Sequence, residues 1–333
     1  MCRGREAMKK KNFLMIALIL CLIASLFGCG ANDPGHNQGH IKIVTTVFPQ
    51  YDWAKNILGD NPAGAELVLL ADNGADMHSF QPGAQEIVDI STADVLIYVG
   101  GESDTYIDDV LKTNSYEKMH VINLLESAGE FIKEEELVEG MEGEEEEESE
   151  EEEEPEYDEH VWLSLKAASG LCDKICDAIC QIDPSNEEYY RKNLKEYKEK
   201  LTALDDKYAK VVSQASTDTI LFGDRFPFRY MVDDYGIKYF AAFVGCSSET
   251  DASFETVTFL AKKVDELGLD SVMIIENSDG AIAQAIISNT ETKDQKVLTM
   301  DSMQSVTADD IEAGETYLGI MEENLRVLQE ALN

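Results

Sequence analysis

A chain of 333 residues has room for two domains of ordinary size, and 44% hydrophobic residues are enough to fill real cores. Intrinsic disorder is therefore excluded despite a formal net charge of −39. That acidity also excludes nucleic acid and anionic lipid surfaces as partners and favours cations. Much of it is local, since residues 134–159 hold 18 acidic side chains and no basic one.

The N-terminus reads as an export signal. Lys9-Lys10-Lys11 precede an apolar stretch of about 15 residues ending at Phe27, too short for a comfortable membrane span. Met8 is the more usual start, which leaves residues 1–7 as an upstream extension. Leu26-Phe27-Gly28-Cys29 resembles a bacterial lipobox. This resemblance implies a signal peptide of residues 1–28 and a lipidated Cys29 as the first residue of the mature chain; an ordinary cleaved signal with an incidental cysteine is the alternative. Residues 29–40 follow as a polar, Gly-rich tether.

Beyond the tether, strand and helix signals alternate. Residues 41–48 read as a strand, 51–58 as a helix, 65–70 as a strand, 84–92 as a helix, and 95–99 and 121–124 as further strands. This is the βαβ pattern of a mostly parallel sheet. The glutamate run, a solvated low-complexity loop, interrupts this first lobe, which spans residues 41–182. A second α/β lobe covers 216–333, with strands expected at 220–222, 237–241, 271–275 and 297–298. Helical patterns accompany them near 226–234, 254–268, 280–289 and 315–332. Between the lobes, residues 183–215 contain no Gly and no Pro after Pro184. Their apolar residues fall at Tyr190, Leu194, Tyr197, Leu201, Leu204, Tyr208 and Val211. A helix of about 30 residues, roughly 45 Å long, with one apolar stripe is expected to lie across both lobes as a stiff strut capped by Asp183 or Ser185.

The chemistry-bearing residues are few. Cys172, Cys176 and Cys180 share one helix face and read as an apolar stripe in preference to a thiolate site; Cys246 has no evident partner. Three histidines belong to the folded body. His120 starts a strand and is structural. His78 follows the second strand, and His160 opens a new element after the acid run. Asp224 and Glu276 stand just after strands of the second lobe. In open α/β sheets ligands bind beyond the carboxyl ends of strands, so these four side chains, two from each lobe, are placed to converge on a cleft. Two imidazoles with two carboxylates suit zinc or manganese.

The export signal, IVTTVFPQY (residues 43–51), ADMHSFQP (75–82) and DEHVWL (158–163) together resemble the metal-specific substrate-binding lipoproteins of bacterial ABC importers for zinc and manganese. The resemblance covers roughly residues 41–333. It implies two (β/α) lobes joined by one long rigid helix, with a metal site in the cleft and His78 and His160 as ligands. The family usually carries His or Glu after the first strand of the second lobe. Here Gly223 stands in that neighbourhood, which makes Asp224 the substitute, and Glu276 matches the fourth ligand. Arg225 and Glu249 are expected to support the site as a pair. The implied activity is capture of a divalent ion, zinc with manganese as the alternative, outside the membrane, and its delivery to an ABC permease by a lipid-anchored protein.

Other classes lack their signatures. A zinc hydrolase needs an activated water, a base and usually His-Glu-x-x-His; no nucleophile elbow, P-loop or dinucleotide fingerprint is present either. An adhesin coated with calcium along its acid loop would bind in a calcium-dependent way and survive loss of His78 and His160. The glutamate run itself has two readings, a loose cation trap beside the cleft or a solubility loop. Deleting residues 143–154 is expected to leave one tight metal site and remove weaker additional binding, measured as calorimetric stoichiometry. An unchanged stoichiometry would leave the run without a binding role.

Overall fold

The structure is a computed structural model that describes residues 40–113, 118–142, 156–247 and 251–333. The export signal, Cys29, Glu249 and residues 143–155 of the glutamate run lie outside them. The first lobe holds strands β1 (Lys42–Thr45), β2 (Glu66–Leu69), β3 (Val95–Tyr98) and β4 (His120–Asn123). Its helices are α1 (Phe48–Leu58), α2 (Ala84–Ser91), α3 (Thr105–Thr113), α4 (Leu124–Ala128) and α5 (Leu165–Ile182). A 27-residue helix, α6 (Glu187–Ser213), leads into the second lobe. There strands β5 (Thr219–Phe226), β6 (Lys238–Val244), β7 (Ser271–Ile275) and β8 (Lys296–Met300) alternate with α7 (Arg229–Tyr235), α8 (Phe254–Leu267) and α9 (Ala281–Asn289). Helices α10 (Ala308–Ala313) and α11 (Tyr317–Ala331) close the chain.

Both sheets are wholly parallel, in the orders β2-β1-β3-β4 and β6-β5-β7-β8. Parallel strands are covered on both faces, and accordingly all four residues of β3 and all five of β7 are buried. In each sheet the first strand has later strands on either side, so the order reverses beside β1 and beside β5. Crevices that accept ligands open beyond the carboxyl ends at such points.

Local chemistry moves several boundaries. The first strand ends at Thr45 because Pro49 lies in the first turn of α1 and the Gln50 carboxamide oxygen accepts from the Thr46 and Val47 amides at 2.8 and 3.3 Å. A helix start held this way pre-empts further strand. In the second lobe β5 continues to Phe226, so Asp224 sits inside the strand, where the register against β6 shifts between Phe222 and Arg225. Such a bulge re-aims side chains near a strand end.

Helix α6 forms from strong helix formers, with Glu187 and Glu188 in its first turn and Lys210 in its last, as the helix dipole favours. A 3-10 turn over Pro184–Asn186 precedes it, and Asn186 occupies the cap position without a side-chain bond. Asp183 does not cap α6; its carboxylate accepts from the Tyr190 hydroxyl and the Asn186 side-chain Nδ2, each at 2.7 Å. The buried stripe runs from Tyr190 to Tyr208, and α6 packs on α1 and α5 at one end and on α7 and α11 at the other. Tyrosine hydroxyls fasten each end. Tyr197 donates to Asp52 of the first lobe at 3.2 Å, and Tyr208 donates to the Met321 carbonyl of α11 at 2.7 Å. One apolar core continues through both lobes, with Trp53 edge-on to Tyr317. Cys172, Cys176 and Cys180 belong to this core, and burial pushes their thiols up, which fits an apolar stripe.

Leu201, buried at mid-strut, is the position at which the joint should be weakest to truncation. Leu201→Ala is expected to cost about 2–5 kcal/mol in urea unfolding, against a change within about 0.5 kcal/mol for the exposed Glu199→Ala.

Candidate metal centre

His78 is set by the loop after β2. Asp76 begins a 3-10 turn over Met77–Ser79 by accepting from the His78 amide at 3.0 Å, and buried Met77 anchors that turn in the core. The His78 ring then places Nδ1 2.8 Å from Ser103 Oγ, in the loop after β3. His160 opens a 3-10 turn over Val161–Leu163 whose side chains are all buried. Asp158 Oδ1 accepts from both the amide and Nδ1 of His160, at 2.8 and 2.9 Å. With both Nδ1 atoms engaged, the two Nε2 atoms face one another at 3.2 Å.

Glu159 completes this arrangement from between the two. Its Oε1 accepts from the Ser103 amide at 3.0 Å, and its Oε2 lies 3.7 Å from His78 Nδ1 with no hydrogen-bond partner. Gly101 makes room for that carboxylate. It adopts φ +80°, and a Cβ there would collide with Glu159. Asp158, Glu159 and His160 are thus one short run in which two carboxylates orient two imidazoles. The stem of the acid segment holds the run in place. Glu134 pairs with Tyr157 in an antiparallel bridge, the Asp158 amide donates to the Lys133 carbonyl at 3.0 Å, and Tyr230 of α7 donates to the Asp158 carbonyl at 2.7 Å.

The two rings differ in how readily they take up a proton. Burial, the neighbouring His160 and Arg225 push the His78 pKa down to about 3, against the pull of Asp76. Burial also opposes charge on His160, but Asp158 and Glu159 outweigh it and hold its pKa above the ordinary value.

From the second lobe, Asp224, Arg225 and Glu276 line one cleft of about 580 Å³ together with Asp76 and His78. Asp224 Oδ1 accepts from the Arg225 amide at 2.8 Å, while its buried Oδ2 has no hydrogen-bond partner. Glu276 accepts from the Ser302 amide at 2.7 Å, the Ser302 hydroxyl at 2.6 Å and the Gln304 amide at 3.4 Å. Burial and Glu276 raise the neighbouring Asp301 to about 7. Arg225 pairs with Asp76 across the cleft at 2.5 Å and donates to the Ser247 carbonyl at 3.3 Å. Burial alone would push the Asp76 carboxyl up, but Arg225 outweighs it and holds Asp76 below its usual value.

The structure therefore brings His78 and His160 within contact distance and puts Asp224 and Glu276 on the cleft that His78 lines. A further second-lobe donor stands near the imidazoles. Cys246 Sγ and one nitrogen from each imidazole all lie within 4.8 Å of one another. The strand-end rule that singled out Asp224 and Glu276 applies equally to Cys246, which follows β6 by two residues. A cysteine without a sequence neighbour carries no spacing signal of such a role. His120, by contrast, begins edge strand β4 away from this cluster.

The family described as "Zinc-uptake complex component A periplasmic" matches residues 43–331. The chain is 31% identical over 319 residues to the zinc-binding lipoprotein AdcA of Streptococcus pneumoniae serotype 4, covering 95% of this chain and 60% of AdcA. It is 28% identical over 327 residues to the high-affinity zinc uptake system protein ZnuA of Bacillus subtilis, covering 97% and 98%. The crystal structure of the Zn(II)-bound ZnuA-like domain of S. pneumoniae AdcA superimposes with a TM-score of 0.68 at 28% identity, over 88% of this chain and 99% of that one. The chain spans about three-fifths of the length of the AdcA proteins that it matches.

Asp158→Asn removes the charge that holds His160 protonated and leaves burial in place. The His160 pKa is expected to fall, measured by nuclear magnetic resonance titration of the imidazole Cε1 proton, and the His78 pKa to rise from about 3 because part of what depresses it is the charge on His160.

Proposed function

The chain belongs to the periplasmic component A family of zinc-uptake complexes, and from that premise we propose that it captures a zinc ion outside the cytoplasmic membrane and passes it to an ABC permease. The observation that carries the proposal is the pair of opposed Nε2 atoms, 3.2 Å apart with each Nδ1 already engaged. Two nitrogens at 2.0–2.1 Å from a tetrahedral zinc stand roughly 3.3 Å apart. Ligating imidazoles ordinarily hold their other nitrogen on an oxygen partner, which sets the tautomer and aims the lone pair. Asp158 and Ser103 do this for His160 and His78.

Capture is an exchange of cations. In the metal-free form a single proton shared between the two Nε2 atoms satisfies both, and the entering ion takes its place. His78 contributes a neutral nitrogen. His160 gives up its proton. Asp224, through its unpartnered Oδ2, and Glu276 supply negative charge from the second lobe. A site drawn from both lobes closes around the ion without an open position or a base for chemistry, as suits cargo and not catalysis. Two imidazoles favour zinc over manganese, whose preference is for oxygen donors. The export signal and a lipid on Cys29 tether the protein at the outer face of the membrane, and the glutamate run beside the His160 stem raises the local concentration of cations.

His78→Ala and His160→Ala are each expected to weaken zinc binding by more than about 100-fold in competition against a chromophoric chelator, and Asp158→Asn by about 10–100-fold. Zinc affinity of the intact chain should fall about tenfold per pH unit once the pH drops below the raised His160 pKa, because a proton then competes for the same nitrogen. Wild-type affinity in the variant lacking both histidines would overturn the proposal.

A further inference from the structure

Resting on the metal site just proposed, we infer that Cys246 supplies a thiolate to the same ion, making the centre a two-histidine, one-cysteine site for soft and borderline cations. Nothing in the local sequence marks Cys246 for this role; its position in the fold does. Its Sγ and one nitrogen from each imidazole form a triangle with no side longer than 4.8 Å. Around a tetrahedral zinc with sulfur at about 2.3 Å and nitrogen at about 2.0–2.1 Å, sulfur and nitrogen stand roughly 3.6 Å apart, so the triangle needs only a small contraction to close on an ion.

Three features of the second lobe bring the thiol there. Gly245 lets the backbone approach the His160 ring, since a Cβ at that position would stand 3.1 Å from His160 Cε1 and Nδ1 and 3.0 Å from the Phe226 carbonyl oxygen. The Cys246 amide donates to Glu135 Oε1 at 3.2 Å, which ties it to the stem of the acid segment. Arg225 donates to the carbonyl of the next residue, Ser247, at 3.3 Å. Meanwhile the carboxylates that sequence placement favours are otherwise occupied. Glu276 holds three hydrogen bonds inside its own lobe, and Asp224 Oδ1 is taken by the Arg225 amide.

The charges facing Cys246 set the terms of binding. Burial and the carboxylates of Asp158, Glu135 and Glu159 push its thiol well up, so the entering ion has to displace that proton, which passes to solvent. A sulfur donor also changes selectivity. It favours zinc and softer ions and adds nothing for manganese.

X-ray absorption at the zinc edge of the zinc-loaded chain is expected to show one sulfur at about 2.3 Å beside nitrogen at about 2.0–2.1 Å. Cys246→Ser should abolish the sulfur shell and lower zinc and cadmium affinity at least about tenfold with manganese affinity nearly unchanged. Cys176→Ser, in the buried stripe, should keep the shell. A wild-type shell of nitrogen and oxygen only, or a sulfur that survives Cys246→Ser, would overturn the thiolate assignment while leaving zinc capture standing. An intact chain that takes up no zinc would overturn the underlying site and this assignment with it.

Discussion

The opposition of two imidazoles is the constraint around which this molecule is organised. Two basic nitrogens 3.2 Å apart at the wall of a cleft repel unless a cation lies between them, and the fold spends buried carboxylates to hold them there. Asp158 and Glu159 are nearly inaccessible, and both sit beside His160 in sequence. One turn of chain thus carries an imidazole together with carboxylates that contact it and its partner. Hydrogen bonds from Asp76 and Ser103 tie the loops after β2 and β3 to this arrangement.

That precision would be lost if the lobes could drift, and the packing restrains them. Helix α6 is buried along one stripe against both lobes, and the apolar core that surrounds it is continuous. Trp162, two residues beyond His160, donates to the Ser302 carbonyl at 2.9 Å, and Tyr317 of α11 donates back to the Trp162 carbonyl at 2.7 Å. The histidine turn is thereby bonded into the second lobe. Across the mouth of the cleft, the Ala308 amide donates to the Asp72 carbonyl at 2.8 Å, and Arg225 bridges to Asp76. The strut could move only by exposing its buried stripe.

Gly223 shows how a neighbour can forbid a donor. A Cβ there would stand 2.7 Å from Ala283 Cα, so the start of α9 leaves no space for a side chain at a position where a ligand is expected by resemblance. The bulge after Phe222 carries Asp224 and Arg225 to the cleft instead. A cation-facing arginine at a cation site is a cost, and the site meets it with Asp76 on one side and further acidic groups on the other.

The sequence by itself determined what repeats along the chain. Alternating strand and helix periods disclosed two parallel α/β lobes, and the 4-3 spacing from Tyr190 to Val211 disclosed the joining helix. These are local properties, since burial of one face leaves its period in the residues that form it. Strand ends at 45 and 226 were not legible, because a capping glutamine and a bulge decided them. Nor was the placement of Asp224, Glu276 and Cys246. All three follow the same strand-end rule, and where each stands depends on the register shift in β5, on the hydrogen bonds of Ser302 and on the close approach of Gly245. Such arrangements exist only between segments far apart in sequence, so only the tertiary structure could decide them.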